Sequence, residues 1–92
     1  MKITLSQQAK PSEDVLFQEV GGEAVLLSLA SESYFGLDKI GTRIWVLLGD
    51  NAQLQHVYDK LLVEYEVEPT QLEADLLDLV GKLDEAGLLQ VD

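Results

Sequence analysis

The sequence of 92 residues predicts a small α+β domain in which a three-stranded antiparallel sheet precedes three helices. Three observations carry that expectation. Between Asp14 and Leu37, apolar residues come in short β-branched and aromatic runs separated by turn residues. Between Ile40 and Leu83, apolar residues instead recur at helical spacing. Asp38 stands where the two patterns meet, as a residue whose carboxylate accepts from the first free amides of a helix. A chain of this length makes one domain, with an expected stability of about 5–10 kcal/mol.

Residues 1–13 read as an N-terminal arm, with a short edge strand at Lys2 to Leu5, and residues 14–92 as the domain proper. Pro11 argues against a central strand in the arm, because proline has no amide proton for a ladder. Asp14 to Val20 reads as the first strand of the sheet. Gly21-Gly22 is a two-residue hairpin signal, since glycine accepts the positive φ that such turns need. Glu23 to Leu29 is the return strand, and its nearly continuous apolar content is that of a strand covered on both faces. After a turn at Ala30 to Ser33, Tyr34-Phe35-Gly36-Leu37 forms a short third strand at an edge. Nothing after it is left to pair with it, so the edge is open, and open edges are either protected or used for binding.

The first helix follows Asp38. Ile40, Ile44, Leu47 and Leu48 form its stripe with Trp45 beside them, and Gly49-Asp50 ends it. The second runs from Asn51 or Ala52 to Glu66, with Leu54, Val57, Tyr58, Leu61, Leu62 and Tyr65 at core-facing spacing. The third is announced by a capping box of Thr70 and Glu73 after Pro69. Its stripe is Leu72, Leu76, Leu79, Val80 and Leu83, widened by Leu77 and Ala86 beyond what one core contact needs. Gly87 closes it, and Leu88 to Val91 forms a last short strand. These elements pack naturally as a winged helix-turn-helix-like domain. In such folds the third helix lies beside the sheet, which here sets it close to the third strand and forms a groove. Phe17 and Trp45 read as core, and one of Tyr34 and Phe35 must point away from the core because side chains alternate along a strand.

Composition excludes several functions. Without cysteine there are no disulfides, thiolate metal sites or Cys nucleophile, and His56 is the single histidine. The N-terminus lacks the apolar core of a signal peptide, and no apolar run approaches the ~20 residues of a membrane span, so the expected location is the cytoplasm. The balance of 17 acidic to 6 basic residues gives a net charge of -11. Nucleic-acid binding depends on neutralising phosphates, and Lys39 with Arg43, one helical turn apart, do not make a footprint. Ser28, Ser31 and Ser33 have no base except the distant His56, which reads as facing solvent or a flank. Glu73 is accounted for by capping, and Asp75, Asp78 and Asp84 lack the spacing of a metal loop. Gly21-Gly22 lacks a phosphate-loop context, and no Asp-Ser-Leu of a carrier protein occurs. The expectation is a protein that is not an enzyme, with no cofactor and no metal.

The order Gly21-Gly22, Val25-Leu26-Leu27, Tyr34-Phe35-Gly36-Leu37-Asp38, then Gly41 with Ile44-Trp45-Leu47-Leu48, resembles the PqqD-like family. Leu61, Tyr65-Glu66-Val67, Asp75, Leu79, Leu83 and Gly87-Leu88-Leu89 continue the match, which covers about Asp14 to Leu89. The wording from Tyr34 to Trp45 is most similar to the stand-alone recognition elements of lasso-peptide biosynthesis. The resemblance implies a winged-helix-like domain that binds the leader segment of a ribosomally made precursor peptide and presents it to modifying enzymes. In the lasso pathway these are a leader peptidase and an ATP-dependent cyclase; in the pyrroloquinoline quinone pathway, a radical enzyme. It implies a leader added as a strand along Ser33, Tyr34, Phe35, Gly36 and Leu37, lying against Leu72, Asp75, Leu76, Leu79, Lys82 and Leu83 of the third helix. At least half of those leucines are expected in the core, Asp75 or Lys82 is expected to supply a charged contact, and the protein is expected to be a monomer or weak dimer. The alternatives are a peptide chaperone for the radical enzyme, a winged-helix nucleic-acid regulator, and an adaptor that binds the partner enzymes without the leader.

Overall fold

The computed structural model describes residues 3–92. Its elements run β1 (Ala9–Pro11), β2 (Val15–Val20), β3 (Glu23–Ser28), β4 (Ser33–Leu37), α1 (Lys39–Asp50), α2 (Leu54–Glu64), α3 (Pro69–Glu85) and β5 (Leu89–Val91). The expected three-stranded antiparallel sheet is present in the order β2-β3-β4 and is followed by the three helices. Gly21 and Gly22 take φ of 64° and 86°, the left-handed pair that joins β2 to β3 with matching twist.

A second sheet of two strands was not expected in this form. β1 pairs antiparallel with β5, Ala9 opposite Val91 and Pro11 opposite Leu89. The expected strand from Lys2 to Leu5 is absent where it can be judged: Lys2 lies outside the described residues, and Ile3 to Leu5 form no strand. The segment before β1 is nonetheless tied down. Leu54 donates its amide to the Gln7 carbonyl at 3.1 Å, and Ala9 donates to the Ala52 carbonyl at 2.8 Å.

Those bonds account for one helix boundary that differs from expectation. Ala52 and Gln53 are engaged in extended pairing with the N-terminal segment, so α2 starts at Leu54 rather than at Asn51 or Ala52. It stops at Glu64, two residues early, with Tyr65 extended. Helix α1 ends at Asp50 as expected, but Gly49 lies inside it rather than just past its end, and the Asn51 amide closes it by donating to the Leu47 carbonyl at 2.9 Å. The expected capping box of Thr70 and Glu73 does not form. Glu68 caps α3, its Oε2 accepting from the Gln71 amide at 2.8 Å. Proline fixes φ and lacks a donor, so it suits the first helical position and pushes the residue before it into extended backbone. Pro69 therefore sets the start two residues before a Thr70 cap would. At the other end, Gly87 at φ 77° and the Leu88 amide bonded to the Leu83 carbonyl close the helix in a Schellman turn.

Asp38 caps α1 as expected, Oδ1 accepting from the Gly41 amide at 2.8 Å. Asp38→Ala is expected to cost about 1 kcal/mol in urea denaturation; an unchanged midpoint would show that the cap contributes nothing.

The core lies between the inner face of β3 and β4, helix α1, and the inward stripes of α2 and α3. Leu26, Leu48, Leu54, Val57, Leu61, Leu76, Val80, Leu83 and Leu88 are fully buried, and Trp45 is buried as expected. Three expectations fail on packing. Phe17 is 39% exposed, because α1 packs against β3 and β4 and leaves β2 overhanging. Ile40, on the first turn of α1, is exposed rather than in the stripe. β3 is covered on one face only: Ala24, Leu26 and Ser28 are buried, while Val25 is 48% exposed on the other face. Outside the core, Arg43 of α1 grips Glu64 at the end of α2 through Nε–Oε1 at 2.8 Å and Nη2–Oε2 at 2.6 Å. The hydrogen bonds from Arg43 hold the Glu64 carboxyl below the ordinary carboxylate range. A depressed carboxylate stabilises the fold above the ordinary carboxylate pKa and loses that contribution as pH falls through the lowered value. Both groups are partly exposed, so the contribution is small.

Candidate functional site

β4 is hydrogen-bonded to β3 on one side, Val25 opposite Gly36 and Leu26 opposite Phe35. Its other side has no strand partner among the described residues. A free edge presents alternate unpaired amides and carbonyls, and proteins usually blunt it with charge, proline or a bulge. The five residues Ser-Tyr-Phe-Gly-Leu carry none of these. β2, the opposite edge, carries Glu19 and overhangs the helices. The uncharged edge therefore belongs to the strand whose inner side chains rest on the core.

The alternation left open in the sequence is settled by register. Phe35 and Leu37 share a face with Leu26 and Ala24. Leu37 is buried and Phe35 is half-buried against the core, while Tyr34, on the outer face, is 78% exposed. Ser33 and Gly36 are exposed.

On α3, Leu72, Leu76 and Leu83 are core residues. Leu79 is half-buried on the same core that supports Phe35. Asp75 and Lys82 are exposed, and each already has a partner one turn away: Asp75 Oδ1 accepts from Gln71 Nε2 at 2.8 Å, and Lys82 Nζ meets Asp78 Oδ2 at 3.0 Å. Such exposed contacts exchange cheaply for new ones. α3 packs mainly on α2 and β5, while α1 is the helix that contacts β4. The strand and helix residues thus meet through the shared core, on which both Phe35 and Leu79 rest.

The outer face of the sheet was missed as a surface. Leu16, Leu27 and Tyr34 stand in one cross-strand row and Gln18, Val25 and Gly36 in the next. Leu16 is 54% exposed, and Val20 and Leu29 are exposed too. The signal was the apolar run of β3, read there as burial on both sides.

Chemically, this arrangement offers a backbone edge and apolar surface, with few charges placed to act. Helix α3 carries Glu73, Asp75, Asp78, Asp84 and Glu85 against Lys82, the wrong sign for phosphates. Among the described residues no group of three or more His, Asp or Glu is arranged to hold a metal ion. Among the described residues no helix is long and apolar enough to cross a membrane.

A small domain with a free, uncharged edge strand seated on its core offers a backbone ladder that an extended peptide could continue. Residues 23–89 match the family model for coenzyme PQQ synthesis protein D (PqqD), and the chain belongs to that family. It is similar to TbiB1, solved in complex with the TbiA(beta) leader peptide, at 37% identity over 88% of this chain and 94% of that one, with a TM-score of 0.83. It is also similar to a lasso peptide synthetase B1 complexed with its leader peptide, at 29% identity over 90% of this chain and 98% of that one, with a TM-score of 0.79. No curated protein matches the chain closely.

Proposed function

We propose that this protein binds the leader segment of a ribosomally synthesised precursor peptide by adding it as a strand to β4, and presents it to modifying enzymes without catalysing a reaction itself. The observation that carries this is the free, uncharged β4 edge in a chain similar to two B1 proteins solved with leader peptides. Backbone pairing along Ser33, Tyr34, Phe35, Gly36 and Leu37 supplies affinity, and side-chain pockets supply specificity. Leader side chains on the inward phase rest on Phe35 and Leu79, with Leu72, Leu76 and Leu83 as the buried floor. Asp75 and Lys82 exchange their intrahelical partners for charged groups of the leader. The partners are a leader peptidase and a cyclase of the lasso type, acting in the cytoplasm. The family's own description also fits a peptide chaperone of the PQQ pathway; the lasso assignment is favoured because both similar structures are B1–leader complexes.

The test is fluorescence polarisation with the labelled leader of the precursor peptide encoded nearest to this chain's gene. Micromolar or tighter binding, abolished by a proline inserted in the leader's central segment, supports strand addition. No binding, or binding indifferent to the proline, sinks it.

A further inference from the structure

Gly36 works against the strand that contains it. An interior glycine weakens a strand, having no side chain to pack and more freedom to lose on folding. Nothing inside the protein calls for it. Its φ lies outside the left-handed region, and a Cβ built there meets no atom within 4 Å. Neither backbone conformation nor crowding explains the residue, so the space above it is left for something outside this chain.

Register shows where that space lies. Gly36 faces outward, beside Val25 and then Gln18 across the sheet, with Tyr34 next along its own strand. The surface dips here into an open depression of about 570 Å³, lined by Gln18, Val20, Glu23, Val25, Gly36 and Asp38. Val25, 48% exposed, is apolar surface open to solvent, and among the described residues no cation lines the depression.

Resting on the strand-addition reading above, we propose that Gly36 is a specificity-determining position: the shelf over it receives a large aromatic side chain projected from the outward phase of the bound leader strand. Neighbouring strands lie roughly 4.8 Å apart, so a leader residue paired with Gly36 stands roughly 10 Å from Val25 with bare backbone between. A small side chain leaves that gap open. An aromatic ring spans it, lying over the Gly36 backbone and covering Val25, the arrangement by which aromatics compensate cross-strand glycines in sheets. Glu23 and Asp38 at the rim disfavour an acidic side chain there. Recognition is thus two-faced: the inward phase meets the core side of β4, and the outward phase meets this shelf.

The experiment selects a displayed library of short random peptides on the wild-type protein, on Gly36→Thr and on Val25→Ser. Threonine fits the open space and favours strand backbone, so Gly36→Thr is expected to fold and to raise the thermal midpoint by about 4 °C. Wild type is expected to enrich peptides with an aromatic at one position and apolar residues at positions of the opposite parity. Gly36→Thr is expected to lower the aromatic enrichment about ten-fold while keeping the opposite-parity preference, and Val25→Ser to lower it by a smaller factor. If wild type and Gly36→Thr enrich the same strand-forming peptides with no aromatic preference lost, the shelf is overturned while strand addition stands. If no protein enriches peptides of alternating pattern, the shelf and the strand-addition reading fall together.

Discussion

Leu26→Ala is expected to lower the unfolding free energy by about 3 kcal/mol in urea denaturation. The residue is fully buried in the central strand, flanked in register by Phe17 and Phe35 and packed beneath α1. Truncation removes three carbons from a site whose neighbours belong to three different elements and cannot all move in together. From a total of about 5–10 kcal/mol, that loss is a large share and shifts the thermal midpoint down by roughly 15 °C. The companion substitution is Val25→Ala, one residue away on the outer face and half-exposed. It is expected to cost less than about 1 kcal/mol, since little buried surface is lost. Equal costs at the two positions would mean that the inner and outer faces of β3 are wrongly assigned, and with them the outward placement of Tyr34 and Gly36.

The second large effect is on binding. In an antiparallel ladder, neighbouring residues direct their amides to opposite sides. Of Tyr34 and Phe35, one donates toward β3 and the other toward the free edge. Proline removes the donor at either position. One of Tyr34→Pro and Phe35→Pro is therefore expected to loosen the sheet, seen as faster amide exchange in β3. The other is expected to leave exchange in β3 near wild type and weaken leader binding at least about ten-fold, or about 1.4 kcal/mol. Phe35→Ala separates loss of the ring from loss of the amide. Retained affinity in both proline variants would remove β4 as the docking edge.

Local signals made most of this fold legible. The Gly21-Gly22 hairpin, the Asp38 cap and the leucine stripes act over a few residues, and each is where the sequence put it. What escaped depends on residues far apart in the chain. β1 is three residues ending in proline, and only its partner near residue 90 makes it a strand. The start of α2 moved because an amide more than forty positions upstream, at Ala9, takes the Ala52 carbonyl. Phe17 has the spacing of a core residue, and no spacing rule shows that α1 packs on β3 and β4 more than on β2. At α3 two sound caps compete, and Pro69 decides between them. The edge itself was readable by counting strands, and the parity of Tyr34 and Phe35 by alternation. Which of the two faces inward needed the register with Leu26.

The clasp of β1 with β5 sets Ala9 beside Val91, antiparallel, so the first and last strands of the domain lie side by side. Residues 3–8 continue past that clasp onto the core, with Ile3 against Gly81 of α3, so a tether attached ahead of them starts from α3 and one attached after β5 starts from the clasp. For an engineer grafting this domain onto a processing enzyme, the linkers of N-terminal and C-terminal fusions are therefore set separately, each to the span that maximises the effective concentration of captured peptide.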